Sequence, residues 1–312
     1  MKDLLRTQDL SRDDVELLLE TAAAFAKEPL RSKSALANKS VAIYMTKPST
    51  RTRLSSETAI AHLGGVPIFI RGDELQLGRG ETIADTAKII SGYCSALIIR
   101  TFAQSDVDEL GAHASIPVIN ALTDDDHPTQ LLADWLTIRE NFGKDIAGRK
   151  FVYLGDGNNM SHAWLIMGAI MGAHVVAATP SGKWAPDQKT VEIAKNIAAK
   201  SGGKVEVSHD PEAASKDASV LYTDVWMSMG DSESERDEKV LALSPFAVTE
   251  NLFSLAKKDS IFMHCLPAHR GEEVEASVID GPRSVIWREA YHRRTTIQSL
   301  LFHLTQGDLK GN

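Results

Sequence analysis

The stretch KFVYLGDGNNMSHAWLIMGAIMGAHVVAAT, residues 150–179, decides the fold. Its opening run, Lys150 to Leu154, is apolar, β-branched and aromatic, the composition of a strand buried on both faces. A glycine-permitted turn follows, Gly155-Asp156-Gly157-Asn158-Asn159. Beyond it lies the most apolar part of the chain, Ala163 to Ala178, interrupted by Gly168, Gly172 and His174. That part falls short of the roughly 20 residues a membrane span needs, so it reads as a buried helix and then a strand. Strand, turn, helix and strand in that order make α/β architecture with parallel pairing.

The same alternation continues outward. Strands are expected at Ser40–Thr46, Val66–Ile70, Ala96–Arg100 and Pro117–Asn120, with helices at Arg12–Lys27, Arg51–His62, Ile83–Cys94 and Gln130–Glu140. In the second half, strands at 150–154, His174–Ala178, Lys204–Ser208, Val220–Thr223 and Ile261–His264 again alternate with helices. A polar, Gly-containing stretch at Glu140–Arg149 separates the halves. The expected organisation is an α/β chain of two domains, residues 1–140 and 141–293, each with a mostly parallel sheet flanked by helices. A last helix, from about Arg294 to Leu304 within residues 294–312, packs back on the first domain.

Composition narrows the function. With 34 Lys and Arg against 42 Asp and Glu the net charge is −8, so no general footprint exists for nucleic acid or an anionic membrane. Any anion must meet a local basic cluster. Two cysteines, Cys94 and Cys265, are too few for a disulfide scaffold and suit a reducing compartment. The first residues lack the apolar core of a secretory signal, and cytoplasm is the expected location.

Such a basic cluster exists. Lys47-Pro48-Ser49-Thr50-Arg51-Thr52-Arg53 lies between a strand and a helix and gathers three cations and three hydroxyls at a helix N-terminus, which suits a phosphate-like anion. A plain Ser/Thr cap with solvated arginines is the alternative. Asp126-His127-Pro128-Thr129-Gln130 occupies a second strand-to-helix junction, and Arg100 ends a third strand. Open α/β sheets bind ligands at that carboxyl edge. In the second half, the Gly155–Asn159 turn departs from a dinucleotide fingerprint. Its third glycine position is Met160, and no acid follows the next strand. A turn presenting Asn159 to a polar substrate remains, beside the reading of a simple connection. Asp224-Val225-Trp226-Met227-Ser228-Met229-Gly230 places a carboxylate at a strand end beside a small-residue loop, and the charged run Asp231–Lys239 beyond it reads as solvated surface. His264-Cys265-Leu266-Pro267 ends the last strand with a thiol that is either a hydrogen-bonding group or an inert buried one. No Cys/His spacing of a metal site is present.

Ser-Thr-Arg-Thr-Arg at 49–53, His-Pro-x-Gln at 127–130, Asp-x-Trp-x-Ser-Met-Gly at 224–230 and His-Cys-Leu-Pro at 264–267, in that order, resemble the aspartate/ornithine carbamoyltransferase family across essentially the whole chain. The Ser-Met-Gly loop and the His-Cys-Leu-Pro segment mark its ornithine side. The resemblance implies a first domain that binds carbamoyl phosphate and a second that binds L-ornithine, in a homotrimer or a multiple of trimers. It implies that Ser49, Thr50, Arg51 and Thr52 hold the phosphate and that Arg100, His127 and Gln130 hold the carbamoyl group. Arg293 occupies a further carbamoyl phosphate position, although His292 replaces the usual Asn before it and Arg294 is adjacent. Gln76 matches a loop supplied by a neighbouring subunit, in which Gly80 replaces a common Lys or Asn. Asn159, Asp224, Ser228 and Met229 match the ornithine contacts, with Cys265 and Leu266 beside the reacting amine. Arg51, Arg100, His127, Asp224 and Cys265 are thereby the expected catalytic set, with no metal and no cofactor, because the substrate carries its own activated leaving group. The implied products are citrulline and phosphate, in arginine biosynthesis. Transfer to another amine, such as acetylornithine or putrescine, is the alternative, and an intact Ser-Met-Gly loop opposes it.

Overall fold

The computed structural model describes residues 1–75, 80–146, 148–228 and 232–312, apart from the side chain of Glu233. The chain forms two compact units, residues 1–136 with 291–312, and residues 137–290. The passage between them falls inside a helix, a few residues before the polar stretch at Glu140–Arg149.

In the first unit, α1 (Arg12–Lys27) precedes β1 (Ser40–Met45), α2 (Thr50–His62), β2 (Val66–Arg71), α3 (Ile83–Tyr93), β3 (Ala96–Arg100), α4 (Gln104–His113), β4 (Val118–Leu122) and α5 (Pro128–Phe142). The strands pair in parallel in the order β2-β1-β3-β4. The apolar faces of Ala42, Tyr44, Leu97 and Ile99 pack against Ala87 and Ile90 of α3 and Val107 and Leu110 of α4. Polar ends set the helices: Ser11 caps α1 by accepting from the Asp14 N–H, and Ser49 caps α2 by accepting from the Thr52 N–H at 3.2 Å.

The second unit holds β5 (Lys150–Leu154), α6 (Asn159–Ile170), β6 (His174–Ala178), α7 (Gln188–Ser201), β7 (Lys204–Ser208), α8 (Pro211–Ser215), β8 (Val220–Thr223), α9 (Arg236–Leu243), α10 (Glu250–Ser254), β9 (Ile261–His264), α11 (Ala276–Ile279) and the start of α12 (Ile286–Gln306). Its sheet is also parallel, ordered β7-β6-β5-β8-β9. Val152, Leu154, Val176, Leu221 and Phe262 form its core with Phe246, Phe253 and Ile279. α6 is buried along almost its whole length, which is why its sequence shows no amphipathic period.

The strands agree with the sequence reading to within a residue or two. Two helices do not. α4 had no expected counterpart, since Gly111 and a run of polar residues obscure its period. The final helix begins at Ile286 rather than near Arg294: in its first turn Glu289 is buried and accepts the His264 N–H at 3.0 Å while Trp287 is exposed, so burial there runs against residue type and hides the amphipathic period. Residues 291–312 of that helix and the tail belong to the first unit, as expected. Among the described residues, no helix is long and apolar enough to cross a membrane.

Gly168 lets α6 approach β6: a Cβ there would lie 2.1 Å from Val175 Cγ1. Gly168→Ala should therefore lower unfolding free energy by about 1–3 kcal/mol despite the better helix propensity of alanine. Urea titration followed by circular dichroism checks this, and an unchanged or raised midpoint refutes it.

Candidate active site

Both sheets reverse strand order at one point, between β1 and β3 in the first and between β5 and β8 in the second, and such switch points open crevices at the carboxyl ends. In the first sheet Met45 pairs with Arg100 and Arg100 with Leu122, so the segments after β1, β3 and β4 leave from one edge. They carry Ser49 to Thr52, Arg100 and Asp126 to Gln130.

His127 is the centre of this group. It is buried, and its ring is held well below the ordinary histidine range, first by burial and then by the charges of Arg293, Arg100 and Arg51. The imidazole is thus neutral, with a single ring N–H to donate. Arg293 donates from Nη1 to Gln130 Oε1 and from Nη2 to Thr52 Oγ1 at 3.4 Å. Gln130 in turn donates to Asp134 Oδ1 at 2.8 Å. Thr52, Gln130, Arg293 and Arg100 are all buried, Thr50 is exposed, and Ser49 and Arg51 are half-buried. Arg294 points elsewhere, to His62, Gln298 and Tyr291.

Two cations of the Lys47–Arg53 cluster are engaged away from this group. Lys47 is buried against Asp124 and lies 4.2 Å from the centre of the Phe102 ring. Arg53 donates to Glu57 at 3.0 Å and stacks on Phe69 at 3.9 Å. Positive charge at the crevice comes instead from Arg51, Arg100 and Arg293, which the chain brings from three separate elements.

Asp126, absent from the expected set, anchors the His127 turn. Its carboxylate accepts from Thr7 N–H and Thr7 Oγ1, both at 2.6 Å, and from His127 N–H at 2.7 Å. Burial outweighs these bonds and pushes its pKa up to about 6.

The second unit repeats the geometry. Leu154 pairs with Thr223 and Thr223 with His264, so Gly155, Asp224 and Cys265 emerge side by side. Asp224 Oδ1 accepts from Cys265 Sγ at 2.9 Å and from Val225 N–H at 2.8 Å, while Oδ2 accepts from Asn158 Nδ2 at 3.2 Å. These three donors are a thiol, a backbone N–H and a side-chain amide. Asn158 also caps α6 through Oδ1, which takes the N–H groups of Met160 and Ser161 and the Tyr153 hydroxyl. Asn159 begins that helix, half-buried, and Ser228 and Leu266 are half-buried as well. Leu266 N–H donates to His264 Nδ1 at 2.8 Å. Gln76 and Met229 lie outside the described residues.

Donor atoms of Asp224, His264 and Cys265 lie within 4.8 Å of one another, as do those of His269, Glu272 and Glu273. Linear spacing does not reveal the first set, which needs β8 and β9 in register. Its thiol is already committed to Asp224.

Residues 2–140 match the family description "Aspartate/ornithine carbamoyltransferase, carbamoyl-P binding domain", and residues 147–304 match "Aspartate/ornithine carbamoyltransferase, Asp/Orn binding domain". This chain belongs to the aspartate/ornithine carbamoyltransferase family. The ornithine carbamoyltransferase of Pyrococcus horikoshii is 48% identical over 98% of this chain and 96% of its own. An anabolic ornithine carbamoyltransferase of Pyrococcus furiosus is 47% identical over 99% and 98%. A solved structure of the P. furiosus enzyme superposes with a TM-score of 0.92 at 47% identity, covering 99% and 98% of the two chains. A Giardia lamblia ornithine transcarbamoylase superposes at 0.90 with 33% identity, covering 99% of each chain. The first matched region contains Ser49 to Thr52, Arg100 and His127 to Gln130, and the second contains Asn159, Asp224, Cys265 and Arg293.

Since His127 is depressed in the folded chain, the unfolded chain takes up a proton below about pH 6.5 that the native ring refuses, and this contribution to stability is lost as pH falls. Relative to His127→Gln, the parent should therefore lose stability between pH 7.5 and pH 5, by no more than about 1.4 kcal/mol per pH unit. Paired denaturant titrations at the two pH values measure it, and a pH-independent gap would show that the ring titrates normally.

Proposed function

We propose that this chain transfers the carbamoyl group of carbamoyl phosphate to the δ-amine of L-ornithine, giving L-citrulline and phosphate in the biosynthesis of arginine. The observation that carries the reading is the convergence of three guanidiniums, Arg293, Arg100 and Arg51, from separate elements on a buried His127: a site built this way is completed by a compact, multiply charged anion.

Carbamoyl phosphate is such an anion. In this reading its phosphate takes the Thr50 and Arg51 N–H groups at the start of α2, together with the hydroxyls of Ser49 and Thr52 and the Arg51 side chain. Arg100, His127, Gln130 and Arg293 surround the carbamoyl end. As the amine adds, the carbonyl oxygen gains negative charge, and the Thr52 hydroxyl, Arg100 and the neutral His127 N–H are donors available to meet it. A neutral ring suits this role, since it donates without releasing a proton to the oxyanion.

Ornithine carries a lysine-like amine that is protonated near neutral pH. Asp224, held by neutral donors, with Asn159, Ser228 and Met229, is assigned to the amino acid, and Cys265 and Leu266 to the region of the reacting nitrogen. The deprotonated amine forms the new C–N bond, the C–O bond to phosphate breaks, and the proton shed by nitrogen leaves with the phosphate. The chemistry calls for no metal or organic cofactor, because the mixed anhydride supplies the driving force.

A homotrimer or a multiple of trimers is part of the proposal. β2 is an edge strand whose Val66 and Ile68 are exposed, and Leu54, Ile89 and Tyr93 of the same unit are exposed as well. A second copy covering such apolar surface supports assembly, with Gln76 contributed to the neighbouring site. Cys94 and Cys265, which are not joined in a disulfide, accord with a reducing cytoplasm.

Arg51→Ala should lower the rate of citrulline formation by about 100-fold or more, with the loss falling mainly on carbamoyl phosphate. A coupled colorimetric assay with each substrate varied reads this, and near-parental turnover would remove Arg51 from the phosphate site. In the same assay ornithine should outperform putrescine and acetylornithine; a preference for either would redirect the amine assignment. Sedimentation equilibrium should give a multiple of three chains, and a monomer at micromolar concentration would overturn the assembly.

A further inference from the structure

The charged run after the Ser-Met-Gly loop is not all solvated surface. Its last member, Lys239 on α9, is buried, and its Nζ lies 2.7 Å from Asp156 Oδ2, with side-chain exposures of 4% and 9%. Removing both charges from water is costly enough that a buried pair seldom adds net stability, and its attested use is to fix geometry.

The geometry it fixes is that of the turn leaving β5. Asp156 is the second residue of that turn. Its neighbour Gly157 donates to Trp184 O at 2.9 Å and lies so close to residues 184–186 that a Cβ would sit 2.2 Å from the Ala185 carbonyl carbon. The Trp184 ring lies 5.1 Å from the Lys239 ammonium. Lys183 pairs with Glu235 at 2.8 Å and Glu238 at 3.6 Å. Three segments, the turn, residues 182–186 and α9, thus meet around one ammonium. The next residue along the turn is Asn158, whose Nδ2 donates to Asp224. A continuous set of contacts therefore runs from Lys239 through Asp156 and the turn to Asn158, Asp224 and Cys265, all within the second unit.

We propose that Lys239 is a positioning residue for the amino-acid substrate: paired with Asp156, it sets the angle at which the turn presents Asn158 to Asp224, and so governs ornithine affinity without contacting ornithine. The proposal rests on the ornithine reading above. It separates two classes of effect, because a residue that only stabilises the fold changes the active fraction and leaves both KM values alone.

The test compares the parent with Lys239→Met, Lys239→Arg and the double variant Asp156→Asn/Lys239→Met, each as the full chain, in citrulline assays with either substrate varied and with thermal unfolding alongside. Lys239→Met and the double variant should raise the ornithine KM about tenfold while the carbamoyl phosphate KM stays within about twofold, and Lys239→Arg should recover most of the affinity. The single variant leaves a buried carboxylate uncompensated and can fail to fold; the double variant removes both charges and decides the matter. An ornithine KM within twofold of the parent in the folded double variant would overturn the proposal, as would an equal rise in both KM values. A double variant that does not fold would overturn it too, since the pair would then be a determinant of the fold. A parent that makes no citrulline would instead refute the proposed function, and this inference with it.

Discussion

Parallel strand pairing imposes the constraint on which the site depends. Each strand must be returned by a crossover on one face of the sheet, so all carboxyl ends gather on a single edge and every connection there begins with a turn into a helix. Register then decides which residues become neighbours. Met45, Arg100 and Leu122 align in one sheet, and Leu154, Thr223 and His264 in the other. Residues far apart in the chain are brought to one edge without any direct affinity for each other.

Electrostatics give the two edges opposite characters. In a chain of net charge −8, the first unit collects guanidiniums around a ring that burial keeps neutral. The second collects neutral donors around a buried carboxylate. One arrangement suits an anion and its developing negative charge, the other an ammonium.

Much of this was legible in the chain itself. Strand ends could be read because β-branched runs stop at glycine, arginine or aspartate, and the motifs after them follow directly. Sequence reading failed where burial contradicts residue type. Lys47 and Arg53 look like anion ligands but are taken up by Asp124, Phe102, Glu57 and Phe69. Lys239 looks solvated and is buried. Asp126 sits beside a motif histidine, yet its function as an anchor depends on Thr7, more than a hundred positions earlier. Asn158, directly before a helix, is a cap that the sequence itself marks. The failures at Lys47, Asp126 and Lys239 concern partners distant in sequence, which local pattern does not encode.

The first unit is discontinuous, and that has a consequence for its birth on the ribosome. Thr52 meets Arg293 across 241 residues, and the segment supplying that arginine is made only after the whole second unit. At about 5–20 residues per second of synthesis, Thr52 waits at least about ten seconds for Arg293 to be made. A nascent or C-terminally clipped chain therefore lacks Arg293 and the contacts that join Gln130 and Thr52 through it.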